Sequence, residues 1–351
     1  MIDAETMSSI DMVRASTRGI VKHGDLSRIR KLRYTREGFD REVWSTICEL
    51  GWPGLRLPES SGGSGLGLLA YTALTEELGR GLVPEPLIPA MLASALLPAT
   101  SLESQLKGET LVLPAWQDAR NTLAPQQQLD FANGRLNATK VYVPMAAAAS
   151  AFLVIGQGQH AIVDANSPGV SIEASGTQDG SSFATVRFRD ALCKVFEADA
   201  GPPLAEAALA TAAYLLGVMR AAIEMTVGYL KTRVQFGKTI GQFQVLQHMA
   251  VDMQLEAEVT SASIEAAALQ WDRDGPTAAA QASISRAKAR ASSSAMKVTR
   301  DAIQLHGGIG FTDEHDIGLY LRKAMVAKES FGGTKLHRAN FARLKPVGDQ
   351  A

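Results

Sequence analysis

The sequence predicts an α+β, mostly α fold: an N-terminal helical domain, a middle antiparallel β domain and a C-terminal helical bundle. Three observations carry this prediction. Helical stretches broken by Gly and Pro occupy residues 1–107. Short β-rich segments, one around an Asn-Gly turn, occupy 108–200. Residues 201–351 are alanine-rich, with apolar positions recurring at helical spacing.

In the first segment, Leu50-Gly51-Trp52-Pro53-Gly54 followed by Gly62-Gly63-Ser64-Gly65 reads as a connection between helices. Thr75-Glu76-Glu77-Leu78-Gly79-Arg80 comes next, then a cluster of Pro84, Pro86 and Pro89. In the second segment, residues 110–113 are a β-rich run. Asn133-Gly134 lies between apolar positions on either side, a strong hairpin signal because both turn residues tolerate φ > 0. Residues 140–143, 152–155, 161–163 and 183–188 supply further strands. In the third segment, the apolar 204–230 stretch reads as a helix buried on several sides. Leu246, Met249, Ala250, Met253 and Ala257 mark the next helix. Asp274-Gly275-Pro276 separates it from another, with Pro276 at the favourable first helical position. Gly307-Gly308 ends that helix, and Asp313, Glu314 and Asp316 suit the N-terminus of the last one.

The 351 residues suffice for two or three domains of about 150 residues. A net charge of −1 argues against a general nucleic-acid surface. Arg28, Arg30, Lys31 and Arg33 form a basic cluster, read as a solvated helix face or a contact for a partner or CoA phosphates. Cys48 and Cys193 lie far apart with no metal-ligand spacing, which fits a reducing compartment. The start is acidic, unlike a secretory signal, and the apolar run near 146–155 is too short to span a bilayer. The expectation is a cytoplasmic protein with no nucleic-acid or membrane partner. His248 and His306 have no acid or cysteine to complete a ligand set, so no metal is expected.

Two stretches carry more. Arg233-Val-Gln-Phe236-Gly237 with Gln244, and Gln304-Leu-His306-Gly307-Gly308, together resemble the acyl-CoA dehydrogenase family. Those flavoenzymes desaturate the α–β bond of a CoA thioester. The resemblance covers nearly the whole chain and implies the three-part fold, FAD as cofactor, an acyl-CoA substrate, an electron-transfer flavoprotein as acceptor, and a dimer or tetramer. It implies that Arg233, Phe236 and Gln244 reach across a dimer interface to the ADP portion of a neighbouring subunit's FAD. A guanidinium can pair with pyrophosphate oxygens through two N–H donors. Gln304, Gly307 and Gly308 would approach the same ADP, although Gly-Gly alone reads as a plain helix end. Thr334 matches the threonine that bonds the flavin.

The departures from the family pattern are equally informative. The family's catalytic glutamate sits at one of two chain positions, which fall here on Gly332 and Ala207; neither accepts a proton. Glu206 and Glu329 are the nearby acids that could replace it. Leu336 stands for a glutamine, the 113–118 stretch lacks the expected flavin clasp, and Pro144 stands where a hydroxyl residue is expected. No catalytic residue is therefore assigned. Three functions follow: a non-catalytic subunit completing the FAD site of a catalytic acyl-CoA dehydrogenase partner; a self-sufficient homo-oligomeric dehydrogenase with a relocated base; or a flavin-free interaction protein on the same scaffold.

Overall fold

The computed structural model describes residues 3–345. The chain begins with helices α1 (Ala4–Ser16), α2 (Ser27–Leu32), α3 (Arg41–Glu49), α4 (Leu68–Arg80), α5 (Leu87–Ser94) and α6 (Ala99–Leu106). Strands follow: β1 (Val112–Ala115), β2 (Asp130–Ala132), β3 (Arg135–Pro144), β4 (Ala151–Ile155), β5 (Gln159–Asp164), β6 (Val170–Gly176), β7 (Ser182–Leu192) and β8 (Lys194–Glu197). The rest is α7 (Gly201–Thr232), the short β9 (Val234–Gln235) and β10 (Lys238–Thr239), α8 (Gln244–Asp274), α9 (Ala278–His306), α10 (Ile317–Ala327) and α11 (Thr334–Leu344). Helices, strands, helices is the order the sequence predicts. Spatial contacts group the chain into two compact units. One holds the residues up to Arg30, Leu68–Val83 and everything from Ala208 onward; the other holds Lys31–Gly67 and Pro84–Ala207.

The second unit contains two four-stranded sheets, ordered β1-β4-β5-β8 and β2-β3-β7-β6. Alternate residues of β7, Ala184, Val186 and Phe188, point into a core shared with Leu136, Val143, Phe152 and Val163. Phe152 and Phe188 meet edge to face at 5.9 Å. Asn133 and Gly134 adopt φ of 51° and 74°, and Ala132 pairs with Arg135, a two-residue hairpin as expected. The antiparallel expectation needs one correction: β1 runs parallel to β4. Parallel neighbours require a long crossover, and β2 and β3 lie within it. Strands β6 and β8 were not legible; β6 is exposed nearly throughout and lacks buried alternation.

The first unit is helical. Helices α4 and α7 touch backbone to backbone: a Cβ at Gly79 would lie 2.0 Å from the Tyr214 carbonyl oxygen, and one at Gly217 would lie 1.9 Å from that of Glu76. Glu76 is sealed there, 3.0 Å from Arg220 Nε. Burial raises its carboxyl pKa, and Arg220 and then Arg14 pull it back. Helix α9 begins at Ala278 with Thr277 as its N-cap, so Pro276 precedes the cap and is not the first helical residue. Two charge readings change as well. The acids precede α10 and not the last helix: Asp316 is the N-cap residue of α10 but makes no side-chain cap bond, accepting instead from Arg30 Nε at 2.6 Å, and Asp313 pairs with Arg322 at 2.8 Å. Arg30 of the basic cluster is thereby engaged within the unit. Helix α7 is long and apolar enough to cross a membrane by composition, which the 146–155 run did not reveal. Of its most apolar window, 78% is buried within the protein, the environment of a core helix.

Candidate functional site

The Arg233–Phe236 motif forms the tip of a hairpin. Strands β9 and β10 pair Gln235 with Lys238, leaving Phe236 and Gly237 as a two-residue turn with φ of 54° and 77°. Such turns favour Asn-Gly, because a bulky residue at positive φ is strained. Here the turn holds Phe236 out at 90% exposure. The ring meets the edge of Phe243 at 6.1 Å, and Lys238 Nζ lies 4.3 Å from the Phe243 ring centre. Arg233 and Gln244 are exposed too, Gln244 opening α8 directly after Phe243.

Helix α9 ends at His306, and Gly307 turns the chain with φ 63°. Nothing lies within 4 Å of where a Cβ at Gly307 or Gly308 would stand, and Gln304 is exposed beside them. His306 is buried, bonded through Nδ1 to the Ala302 carbonyl at 2.8 Å and stacked on Tyr229 at 4.5 Å. His315 joins this cluster 4.6 Å from His306. Burial lowers the pKa of both imidazoles. The Tyr229–His306 stack ties the last turn of α7 to the last turn of α9, so the hairpin and the Gly-Gly turn leave from the same end of the helical unit. Six of the seven predicted residues therefore lie in or beside two solvent-facing turns that leave from the same end of the helical unit.

Thr334 does not join them. It opens α11, and its hydroxyl lies 3.3 Å from that of Ser293. Ser293 precedes His306 by thirteen residues of α9, about 20 Å of helix. Thr334 instead belongs with the turn that carries Gly332. Phe331 and Gly332 both have positive φ, 54° and 100°. Lys288 is buried beneath this turn, donating to the carbonyls of Gly332 at 2.8 Å and Lys328 at 2.9 Å. His337 Nε2 lies 2.9 Å from the Phe331 carbonyl. Sequence reading missed Lys288 and His337. The available signal was the phase of Lys288, four residues after Ile284 and seven before Ala295 on the buried stripe of α9.

Of the acids near the two base positions, Glu206 is engaged elsewhere, whereas the Glu329 carboxylate stays beside the turn: a Cβ at Gly333 would lie 2.3 Å from its Oε2. Ala207 and Gly332 are buried. Glu206 makes a two-point salt bridge with Arg56, at 2.5 Å and 3.0 Å, with both side chains largely buried. Glu329 is exposed and pairs with its neighbour Lys328 at 2.6 Å. The strand region is built differently from the expected clasp. Lys140 and Asp118 form a buried ion pair at 2.6 Å, and Lys140 also donates to the Ile155 carbonyl. Burial lowers the Lys140 pKa while Asp118 opposes the shift. Tyr142, at φ 55°, takes its hydroxyl bond from Arg120, and Pro144 pairs with Phe183 in the sheet without an N–H to offer.

The donor set tests what the chain could hold. Arg233 and the open backbone at Gly307 and Gly308 fit an anionic diphosphate. The residues that would clasp a flavin ring, Pro144 and Leu336, have no side-chain donors. Among the described residues no group of three His, Cys, Asp or Glu could hold a metal ion.

Comparison with known proteins places this geometry. Two domain families match, "Acyl-CoA dehydrogenase, N-terminal domain" over residues 8–103 and "Acyl-CoA dehydrogenase, C-terminal domain" over residues 200–344. Acyl-CoA dehydrogenase IpdE2 of Mycobacterium tuberculosis is 30% identical over 326 residues, covering 89% of this chain and 90% of the relative. IpdE2 of Mycolicibacterium smegmatis is 28% identical over 332 residues, covering 92% and 94%. Among solved structures, the Tcur3481-Tcur3483 steroid ACAD superposes with a TM-score of 0.85 at 28% identity, covering 97% of each chain.

Proposed function

This chain belongs to the acyl-CoA dehydrogenase family, and from that premise we propose that it is a non-catalytic subunit completing the FAD site of a catalytic partner. One observation carries the reading. Both family positions for the base hold residues with no proton acceptor, Gly332 and Ala207, while the flavin-signature side chains stand on open surface. A buried, exposed-to-nothing signature would suit a flavin enclosed by this chain; an outward one suits a neighbour's.

FAD, when bound, would supply the hydride acceptor for α–β desaturation of an acyl-CoA thioester. This chain's contribution is to hold the cofactor. The Arg233 guanidinium would pair with diphosphate oxygens, and the Phe236 ring would offer an apolar face to the adenosine. Gln244 and Gln304 offer amide donors and acceptors. Gly307 and Gly308 let backbone N–H groups approach. The α-proton requires a carboxylate from the partner, since proton abstraction without a positioned base typically loses 10²–10⁴-fold in rate. An electron-transfer flavoprotein is the proposed acceptor, and the assembly is a dimer or tetramer in the cytoplasm. A row of exposed apolar residues on α8, Val245, Val251, Leu255 and Val259, each at least 50% exposed, supports assembly through this bundle. The relocated-base reading gains nothing from Glu206, which is held by Arg56.

Flavin counting tests the proposal. On co-expression with a family member that retains its glutamate, a mixed complex should form with about one FAD per two chains. The chain purified alone should hold no stoichiometric FAD and should not oxidise acyl-CoA with an artificial acceptor. Turnover by the chain alone would overturn the reading.

A further inference from the structure

The turn between α10 and α11 sits where the base is missing, yet it is pinned from beneath by a network nothing above requires. Lys288 lies on the buried face of α9 with no exposed surface. Its Nζ has three oxygen partners: the Lys328 carbonyl at 2.9 Å, the Gly332 carbonyl at 2.8 Å and the Ser292 hydroxyl at 3.0 Å. Ser292 also donates to the Lys328 carbonyl at 3.1 Å. From the α11 side, Asn340 donates to Ser285 at 2.8 Å, Ser285 lies 3.3 Å from His337 Nδ1, and His337 Nε2 donates to the Phe331 carbonyl at 2.9 Å. The carbonyls of residues 328, 331 and 332 are thus all held from below. Phe331 and Gly332 both stand at positive φ, which glycine adopts freely but which at Phe331 persists only when its surroundings impose it.

We propose that Lys288 is the positioning residue of this turn: its amine, bound to the Lys328 and Gly332 carbonyls and to Ser292, sets the backbone of 331–333 and so the placement of Thr334. This deepens the cofactor-site reading, because Thr334 is the flavin-contact residue of that reading. The three partners match a neutral amine as well as an ammonium. A neutral amine keeps two N–H donors for the two carbonyls and can accept from Ser292 once that hydroxyl turns from the Lys328 carbonyl, so the amine's three contacts survive deprotonation at the cost of the Ser292–Lys328 bond.

That geometry has a signature in pH. Burial pushes the Lys288 pKa from 10.5 down to about 7, with Glu329 favouring the ammonium and Lys328 opposing it. If the turn opens and frees the amine to water, its pKa returns towards the ordinary lysine range, so opening takes up a proton between about pH 7 and 10. Opening is therefore disfavoured as pH rises through that window and is insensitive to pH below it. His337, on the facing helix α11, is pushed down to about 4 by burial and then by Lys288, so it stays neutral throughout.

The test is amide exchange of the 328–337 segment in the full chain, read from pH 6 to 9 and corrected for intrinsic exchange. Protection should be flat up to about pH 7 and then rise by about tenfold per pH unit. Lys288→Met should lower protection of this segment and abolish its pH slope. A flat wild-type profile overturns the proposal, as does a Lys288→Met variant with the wild-type profile. If that variant does not fold, the wild-type profile alone still decides. The experiment needs neither flavin nor partner, so its failure is separate from failure of the subunit reading, which flavin counting reports.

Discussion

Replacing Glu206 by Gln separates a structural acid from a hidden base. Glu206 bonds Arg56 at two points, 2.5 Å and 3.0 Å, and Arg56 is otherwise tied to the Leu66 carbonyl at 2.8 Å. The two side chains are 18% and 21% exposed, so solvent screens the pair only in part. Glutamine keeps one acceptor oxygen and the shape but loses the charge. A hydrogen bond to a charged group contributes about 1.5–3 kcal/mol against about 0.5–1.5 for a neutral one. The expected loss of stability is about 1–2 kcal/mol, or roughly 2–8 °C in melting temperature for a unit of this size.

Turnover of the assembled complex gives the opposite contrast. If Glu206 only anchors Arg56, turnover per correctly assembled complex changes by less than about threefold; a relocated base would cost about 10²–10⁴-fold. Melting curves of the chain and steady-state rates of the complex, measured on the same preparations, read both quantities. A rate loss of about 100-fold or more in a folded, assembled variant refutes the anchoring argument.

Four further outcomes follow from the geometry. Gly217→Ala forces a methyl group against a backbone carbonyl, and overpacking of about 1–3 kcal/mol should outweigh the helix-propensity gain of about 1 kcal/mol. Gly228→Ala, in the same helix with nothing within 4 Å, should raise the melting temperature; the reverse ranking would sink the close-contact argument. Arg233→Ala should weaken FAD retention by the mixed complex during gel filtration, by about 1.5–3 kcal/mol for each charged bond lost, and unchanged retention would exclude its role. Phe236→Asn suits the hairpin turn and should stabilise the isolated chain slightly, yet weaken assembly or FAD retention. In acid, His337 has a folded pKa of about 4 against an unfolded value near 6.5, so the unfolded state binds the extra proton. Its contribution is constant above about pH 6.5 and is lost as pH falls towards 4, on the order of 3 kcal/mol; melting curves of His337→Gln across that range should show a shallower loss.

What the sequence made legible was local. Asn133-Gly134 and Gly307 each favour a backbone conformation at their own position, so that turn and helix end could be read directly, whereas the hairpin turn at Phe236-Gly237 could not, since a phenylalanine disfavours positive φ. The base positions were read by family spacing, and Gly332 and Ala207 are both buried. What was hidden depends on distance along the chain. The β1–β4 parallel pair joins segments separated by a hairpin of the other sheet. Arg30 finds Asp316 from the far end of the chain, which no charge pattern around either residue suggests. Lys140 and Lys288 look like surface lysines in composition, and only their phase on a buried strand or helix face marks them otherwise.

Strain argues against the flavin-free reading. A turn that places a phenylalanine at positive φ and leaves it 90% exposed is unfavourable on two counts within this chain. Residues in such conformations cost of order 1–3 kcal/mol each, and an exposed aromatic ring forgoes its burial energy. A flavin-free scaffold has no use for either penalty, and an asparagine at 236 would remove both. A second copy or a partner subunit would each cover the ring on assembly. Only a ring that is covered on assembly recovers what the isolated chain loses. The same reasoning applies to Phe331 and Gly332, which stay at positive φ around a missing base because Lys288 and His337 hold their carbonyls. The catalytic group is absent, but the backbone that would present it is still held in place, as a subunit that shapes a shared cofactor site requires.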